Sequence, residues 1–150
     1  MTSDKLPAPD ILTTLHVRDT CLCLHAQRAA RVLARRFDEA LRPAGLTNGQ
    51  FSMLMSMNRP GTVRMRDVAA LLGMDRTTLT AALKTLEKRG LVTTEPDPED
   101  RRGRLLVLSE TGRERLAEAL PIWVETHREV EAPLDEPGLL RTQLNTLARR

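Results

Sequence analysis

Apolar residues recur at helical spacing through most of this chain. Leu15, Leu22, Ala26, Ala29, Leu33, Phe37 and Ala40 fall three, four or seven positions apart and form one stripe. That stripe predicts a long first helix over about 10–41, rich in arginine on its other faces and ended by Pro43 and Gly45. Thr47 and Gln50 have the spacing of a capping box and open a second helix reaching about Asn58. Arg59-Pro60-Gly61 stops it. A short helix over about 66–72 and a longer one over about 76–89 follow, separated by Gly73 and capped by Asp75.

The period then changes. Residues 92–95 and 104–108 read as a two-stranded hairpin around a loop at 96–103. Ser109 caps a fifth helix reaching about Glu131, in which Pro121 predicts a kink. Pro133, Pro137 and Gly138 precede a last helix over about 139–149. Residues 1–9 read as a flexible arm, since prolines and aspartates oppose regular structure in MTSDKLPAPD.

Two helices joined by a tight Gly-containing turn form a helix-turn-helix, whose second helix can fill a DNA major groove. The expected fold is therefore mainly α: a winged helix-turn-helix with a two-stranded β wing and flanking N- and C-terminal helices. The organisation expected is dimerisation helices at 10–45 and 109–150 around a DNA-binding region at 46–108, intertwined as one domain. The flanking helices carry apolar stripes that a small winged domain does not need. A second copy of the chain would bury them and match a palindromic DNA site.

Placed at about 100° per residue, the fourth helix separates cleanly into faces. Leu79, Ala82, Leu83 and Leu86 point to the core, while Thr77, Thr80, Ala81, Lys84 and Lys88 lie opposite and Arg76 flanks the first turn. Threonine methyls can meet a thymine methyl, and arginine can pair with guanine O6 and N7. Arg76, Thr77, Thr80 and Lys84 are thus candidates to line the major groove, with Thr78 and Arg66 as phosphate candidates. In the loop DPEDRRGR, Arg101 and Arg102 sit where a wing tip can enter the minor groove or neutralise phosphates. Acids so close to DNA need a second role, and Asp97 and Asp100 are read as orienting an arginine by a bidentate pair.

Composition narrows the field. The 150 residues suffice for one well-buried domain. Phe37, Phe51 and Trp123 are the only large aromatic rings, which argues against recognition by base stacking. The formal net charge is only +3, so charge distribution matters more than its total. No run approaches the ~18 apolar residues of a membrane helix, and two cysteines are too few for a disulfide scaffold, so a cytoplasmic location is expected. No phosphate loop, metalloprotease helix or nucleophile elbow is present, and neither an enzyme nor a cofactor is implied.

The runs GMDRTTLT (73–80), LEKRGLV (86–92) and DPEDRRGRLLVLSETGRE (97–114) resemble the MarR family of winged helix-turn-helix regulators. The resemblance extends to the long N-terminal helix and to ALPIW at 119–123. It implies a homodimer, usually a repressor, that binds a short palindromic duplex and is released by a small molecule or an oxidant. It also implies that Arg101 or Arg102 reaches the minor groove. Ala81 and Ala82 depart from the family, many of whose members carry a longer polar or basic pair there. A dimeric ligand- or partner-binding protein that has lost DNA binding is the rival reading.

Control residues are sought on the first helix. Cys21 and Cys23 point about 200° apart if both are helical, so they cannot bridge without unwinding it. A sulfenic acid or an intersubunit disulfide stays open. The segment resembles the organic-hydroperoxide-sensing branch of the family, although the assisting tyrosines are missing here. Cys21 and His25 share a face at a metal-ligand spacing, but two ligands make a thin site and no metal is assigned. By family analogy, His16 and Arg18 are candidates to hold an anionic aromatic effector.

Overall fold

A computed structural model describes residues 6–149. Residues 1–5 of the expected arm and Arg150 lie outside the described residues, and residues 6–10 have no regular structure. The chain divides into two compact units, one ending at Arg35 and the other beginning at Arg36.

The first unit corrects the single long helix. Helix α1 spans Ile11–Thr20 and helix α2 spans Leu22–Leu41, with Cys21 extended between them (φ −70°, ψ 104°). The Cys21 N–H donates to Val17 O at 2.9 Å, while its carbonyl accepts from His25 N at 3.1 Å, so one residue ends one helix and starts the next. Its thiol takes a weak capping role, accepting from Leu24 N at 3.4 Å. The Thr20 hydroxyl bonds the His16 carbonyl, a local bond that competes with the helical ladder. The expected stripe is real, but Leu22, Ala26, Ala29 and Leu33 along it are exposed.

The second unit contains the core. Leu41 ends α2 and Arg42–Ala44 form a 3₁₀ turn closed by Gly45 at φ 67°. Helix α3 (Asn48–Met57) carries the full capping box, with Gln50 N donating to Thr47 Oγ1 at 3.2 Å and Thr47 N to Gln50 Oε1 at 3.1 Å. Asp38 adds a cap from α2, accepting from both Asn48 nitrogens at 2.7 and 2.8 Å.

Strand β1 (Val63–Arg64) was not anticipated, because two residues are too few to show a period. Helix α4 (Met65–Leu72), Gly73 at φ 63° and helix α5 (Arg76–Lys88) form the helix-turn-helix. Strands β2 (Val92–Asp97) and β3 (Asp100–Leu108) run further than expected, leaving only Pro98 and Glu99 between them. The expected two-stranded wing is thus part of an antiparallel three-stranded sheet in the order β1-β3-β2. Its ladder shifts register between Pro96 and Asp97.

Helix α6 (Glu110–Glu131) is capped by Ser109, which accepts from Gly112 N at 3.0 Å, and it continues through Pro121. Helix α7 (Pro137–Ala148) begins with its proline where no N–H partner is needed. Leu41, Leu54, Met57, Val68, Leu79, Leu86, Leu91 and Leu106 are almost fully buried, and with Leu116 and Ala119 of α6 they join α3, α4, α5, α6 and the sheet around one core. Trp123 stacks between Phe51 and His127, with centroids 6.0 and 4.6 Å away. Leu139, Leu140, Leu144 and Leu147 on α7 are all exposed. Among the described residues, no helix is long and apolar enough to cross a membrane.

Candidate nucleic-acid interface

Helix α5 is built to show one face outward. Asp75 caps it, accepting from Thr78 N at 2.8 Å and from the Thr78 hydroxyl at 2.7 Å. Those two bonds favour the ionised carboxylate and hold its pKa below the usual 3.8. Leu79, Leu83 and Leu86 anchor the inner face, and Ala82 packs beside them half-buried. The outer face runs from Arg76 through Thr77, Thr80, Ala81, Lys84 and Thr85 to Lys88, all exposed.

The threonines on that helix are not equivalent. Thr78 has committed its hydroxyl to the Asp75 cap, and the Thr80 hydroxyl donates back to Arg76 O at 2.7 Å. Thr77 makes no bond of this kind among the described residues. The recognition helix is fastened to the wing at both ends. The Arg76 guanidinium donates to the Arg102 carbonyl, and the Thr94 hydroxyl of β2 donates to Glu87.

On the wing, Arg101, Arg102 and Arg104 are exposed, and none of them forms an ion pair among the described residues. Lys84 and Lys88 likewise stand without acidic partners there, so this side of the unit carries uncompensated positive charge. Arg66 is exposed at the start of α4, 3.8 Å from Asp67.

The wing acids act differently from the expected bidentate pairs with tip arginines. Asp100 accepts from the backbone N–H of Arg102 at 2.9 Å, which shapes the turn. Asp97 accepts from Glu99 N at 2.9 Å and faces Arg64 Nε at 3.4 Å. Neither touches the guanidinium of Arg101 or Arg102 among the described contacts. A backbone N–H of the turn instead takes one oxygen of each acid, and Arg64 faces the other oxygen of Asp97. Arg64 is the residue that sequence reasoning missed, and its one signal was an arginine where a helix cap belongs.

The candidates of the first unit are placed separately. Arg18 directs Nε and Nη2 to Asp19 at 2.6 and 3.0 Å, which raises the guanidinium pKa above its ordinary value. His16 contributes its carbonyl to the Thr20 hydroxyl. His25 Nδ1 lies 2.9 Å from Cys21 O, so that nitrogen serves the helix start. Cys21 is half-buried and Cys23 exposed, and both are free thiols, with Gln27 Nε2 donating to Cys23 Sγ at 3.0 Å.

Comparison with known proteins bears on this geometry. Residues 44–103 match the model of the MarR family. The M. tuberculosis transcriptional regulator MosR, solved in complex with DNA, is 38% identical over 85% of this chain and 93% of its own, with a TM-score of 0.78. The transcriptional repressor CouR, bound to a 23-mer DNA duplex, is 30% identical over 89% of this chain and 96% of its own, with a TM-score of 0.75. In sequence, the uncharacterized HTH-type transcriptional regulator YwoH of Bacillus subtilis is 30% identical over 61% of this chain. The match spans 66% of YwoH and 51% of the activatory protein BadR of Rhodopseudomonas palustris, so it falls short of two thirds of these relatives.

Proposed function

This chain belongs to the MarR family, and from that premise we propose that it is a homodimeric transcriptional repressor acting in the cytoplasm on a palindromic DNA operator. One observation carries the reading. The outer face of α5, with Arg76, Thr77, Thr80, Lys84 and Lys88 exposed, lies beside a wing whose Arg101, Arg102 and Arg104 have no acidic partner among the described residues. A helix of small hydroxyls and cations fits a major groove, and unpaired arginines fit the adjacent backbone or minor groove. The solved complexes of MosR and CouR with DNA support the same use of the fold.

The dimer is supported by apolar surface. Leu22, Val32 and Leu33 on α2, Leu120 and Val124 on α6, and the leucines of α7 are exposed in the single chain. A two-fold dimer that reads a palindrome holds its two recognition helices about 34–36 Å apart, one turn of DNA. A small-molecule effector then releases the DNA by favouring a dimer with a different spacing. His16 and Arg18 remain the candidates to hold an anionic aromatic compound.

The test is fluorescence anisotropy against duplex DNA from upstream of the gene, with a scrambled duplex as control, at several salt concentrations. Tighter binding to the native duplex, weakening as salt rises, is the expected result. Equal and weak binding to both leaves two readings, an operator elsewhere or the rival dimeric protein that has given up reading DNA.

The break at Cys21 favours a second reading, control by thiol oxidation. Cys21 is no longer held in a helix with Cys23, so the constraint that kept the two side chains apart is relaxed at that residue. With an organic hydroperoxide as oxidant, two thiols would lose two protons and two electrons to form a disulfide, and the peroxide would become an alcohol and water. Loss of DNA binding on peroxide treatment, abolished by Cys23→Ser, would select this reading. DNA binding by the wild type that withstands peroxide would leave the small-molecule effector, and a loss that persists in Cys23→Ser would place the oxidation on Cys21 alone.

A further inference from the structure

The residue at the N-cap of helix α4 is an arginine, Arg64. That position is where Ser, Thr, Asp or Asn ordinarily supplies an oxygen to an orphan backbone N–H. Arg64 has only donors, and the helix has no side-chain cap bond. The local cost of that choice calls for a role elsewhere.

Its side chain points to the wing. Arg64 lies in β1, paired with Leu105 of β3, and its Nε stands 3.4 Å from Asp97 Oδ2 while Nη2 donates to Glu99. Asp97 is the only charged residue fully buried among the described residues, its side chain 5% exposed. Arg64 is its sole ion-pair partner there. A buried carboxylate that loses its counter-ion is costly in a way that an exposed one is not.

The sheet itself does not stiffen this place. The ladder shifts register between Pro96 and Asp97, and Pro96 has no N–H to donate. Beneath the wing lies a cavity of about 200 Å³ lined by Arg64, Met65, Arg76, Asp97, Arg102 and Arg104. The tip is therefore not held up by close packing. The charged bridge across the cavity wall does that work, with the Arg76 bond to the Arg102 carbonyl as a second tether.

We propose that Arg64 is the positioning residue of the wing: through Asp97 and Glu99 it fixes where Arg101 and Arg102 stand relative to the recognition helix, without itself contacting DNA. This rests on the DNA-binding reading above, and its test separates the two.

The experiment compares the full-length wild type with Asp97→Asn, Arg64→Met, Arg64→Lys and the Arg64→Met/Asp97→Asn double variant. Anisotropy on the upstream duplex is the first readout. Electrostatics alone predicts that removing the Asp97 charge tightens binding to DNA and that the two changes add. Positioning predicts the opposite sign: Asp97→Asn weakens binding about tenfold, the double variant binds no worse than Arg64→Met, and Arg64→Lys recovers part of the loss. Backbone hydrogen exchange over residues 97–103 of the free protein is the second readout and needs no DNA. Faster exchange there in Arg64→Met, with α5 unchanged, is expected. Unchanged exchange in the wing overturns the proposal, as does tighter binding by Asp97→Asn. Wild-type protein that ignores the duplex counts against the DNA-binding reading, while the exchange result still decides the role of Arg64.

Discussion

The Arg76 guanidinium donates to the main-chain carbonyl of Arg102, joining the first turn of the recognition helix to the wing across 26 positions of sequence. A lysine in its place could reach the carbonyl but not also present a planar fork to a base. Arg76→Ala is expected to cost about 1–3 kcal/mol of specific DNA binding, and Arg76→Lys to recover only part of it. Anisotropy titrations at one salt concentration check this. Full recovery by lysine would reduce Arg76 to a point charge.

Lys84 stands mid-way along the outer face of α5 without an acidic partner among the described residues. A phosphate contact predicts that Lys84→Ala weakens native and scrambled duplexes alike and lowers the salt slope by about one. A change confined to the native duplex would make it a base reader.

Arg101 and Arg102 are exposed at the wing, and neither guanidinium is held by Asp97 or Asp100. Arg101→Ala is expected to weaken operator binding by about 1–3 kcal/mol if that side chain enters the groove. The same titration on Arg102→Ala shows which of the two does so. Unchanged affinity in both would remove the wing from the mechanism.

The acid limb of stability contains a contribution from the Asp75 cap. Its folded-state pKa is depressed by the bonds from Thr78, so the cap stabilises above the unfolded value and is lost as pH falls through the lower folded one. Asparagine keeps an accepting oxygen but does not titrate. Denaturation of wild type and Asp75→Asn between pH ~5 and ~2 should show the wild-type advantage shrinking toward the acid end. Parallel curves would dissociate the cap from acid sensitivity.

Gly112, in the first turn of α6, has no room for a side chain. A Cβ there would lie 2.3 Å from Leu91 O and 2.6 Å from Leu108 Cδ1. Gly112→Ala should destabilise the fold by about 1–3 kcal/mol through overpacking, despite the better helix propensity of alanine. Thermal denaturation measures it directly.

Much of the fold was legible because its signals are local. The Thr47 and Gln50 box, the Asp75 and Ser109 caps and the Gly73 turn each act within a few residues, and the structure shows each bond or angle. The inner face of α5 followed from helical period alone, since Leu79, Leu83 and Leu86 can only point one way once the helix forms. The break at Cys21 was hidden for a related reason. Of the apolar stripe only Leu15 precedes the break, so periodicity carries no test of whether the helix continues through Cys21.

What the sequence determined by itself, apart from β1 and the break at Cys21, is thus the order of elements, most of their ends and the family, all encoded in short runs. Only the tertiary structure decided that β1 joins the sheet, that Asp97 is buried, and that Arg64 answers it from across the wing. Those outcomes depend on side chains more than 30 positions apart, 35 in the case of Arg64 and Glu99. Burial turns an ordinary surface acid into a charge that must be paired, and burial is a property of the packed chain rather than of any stretch of it.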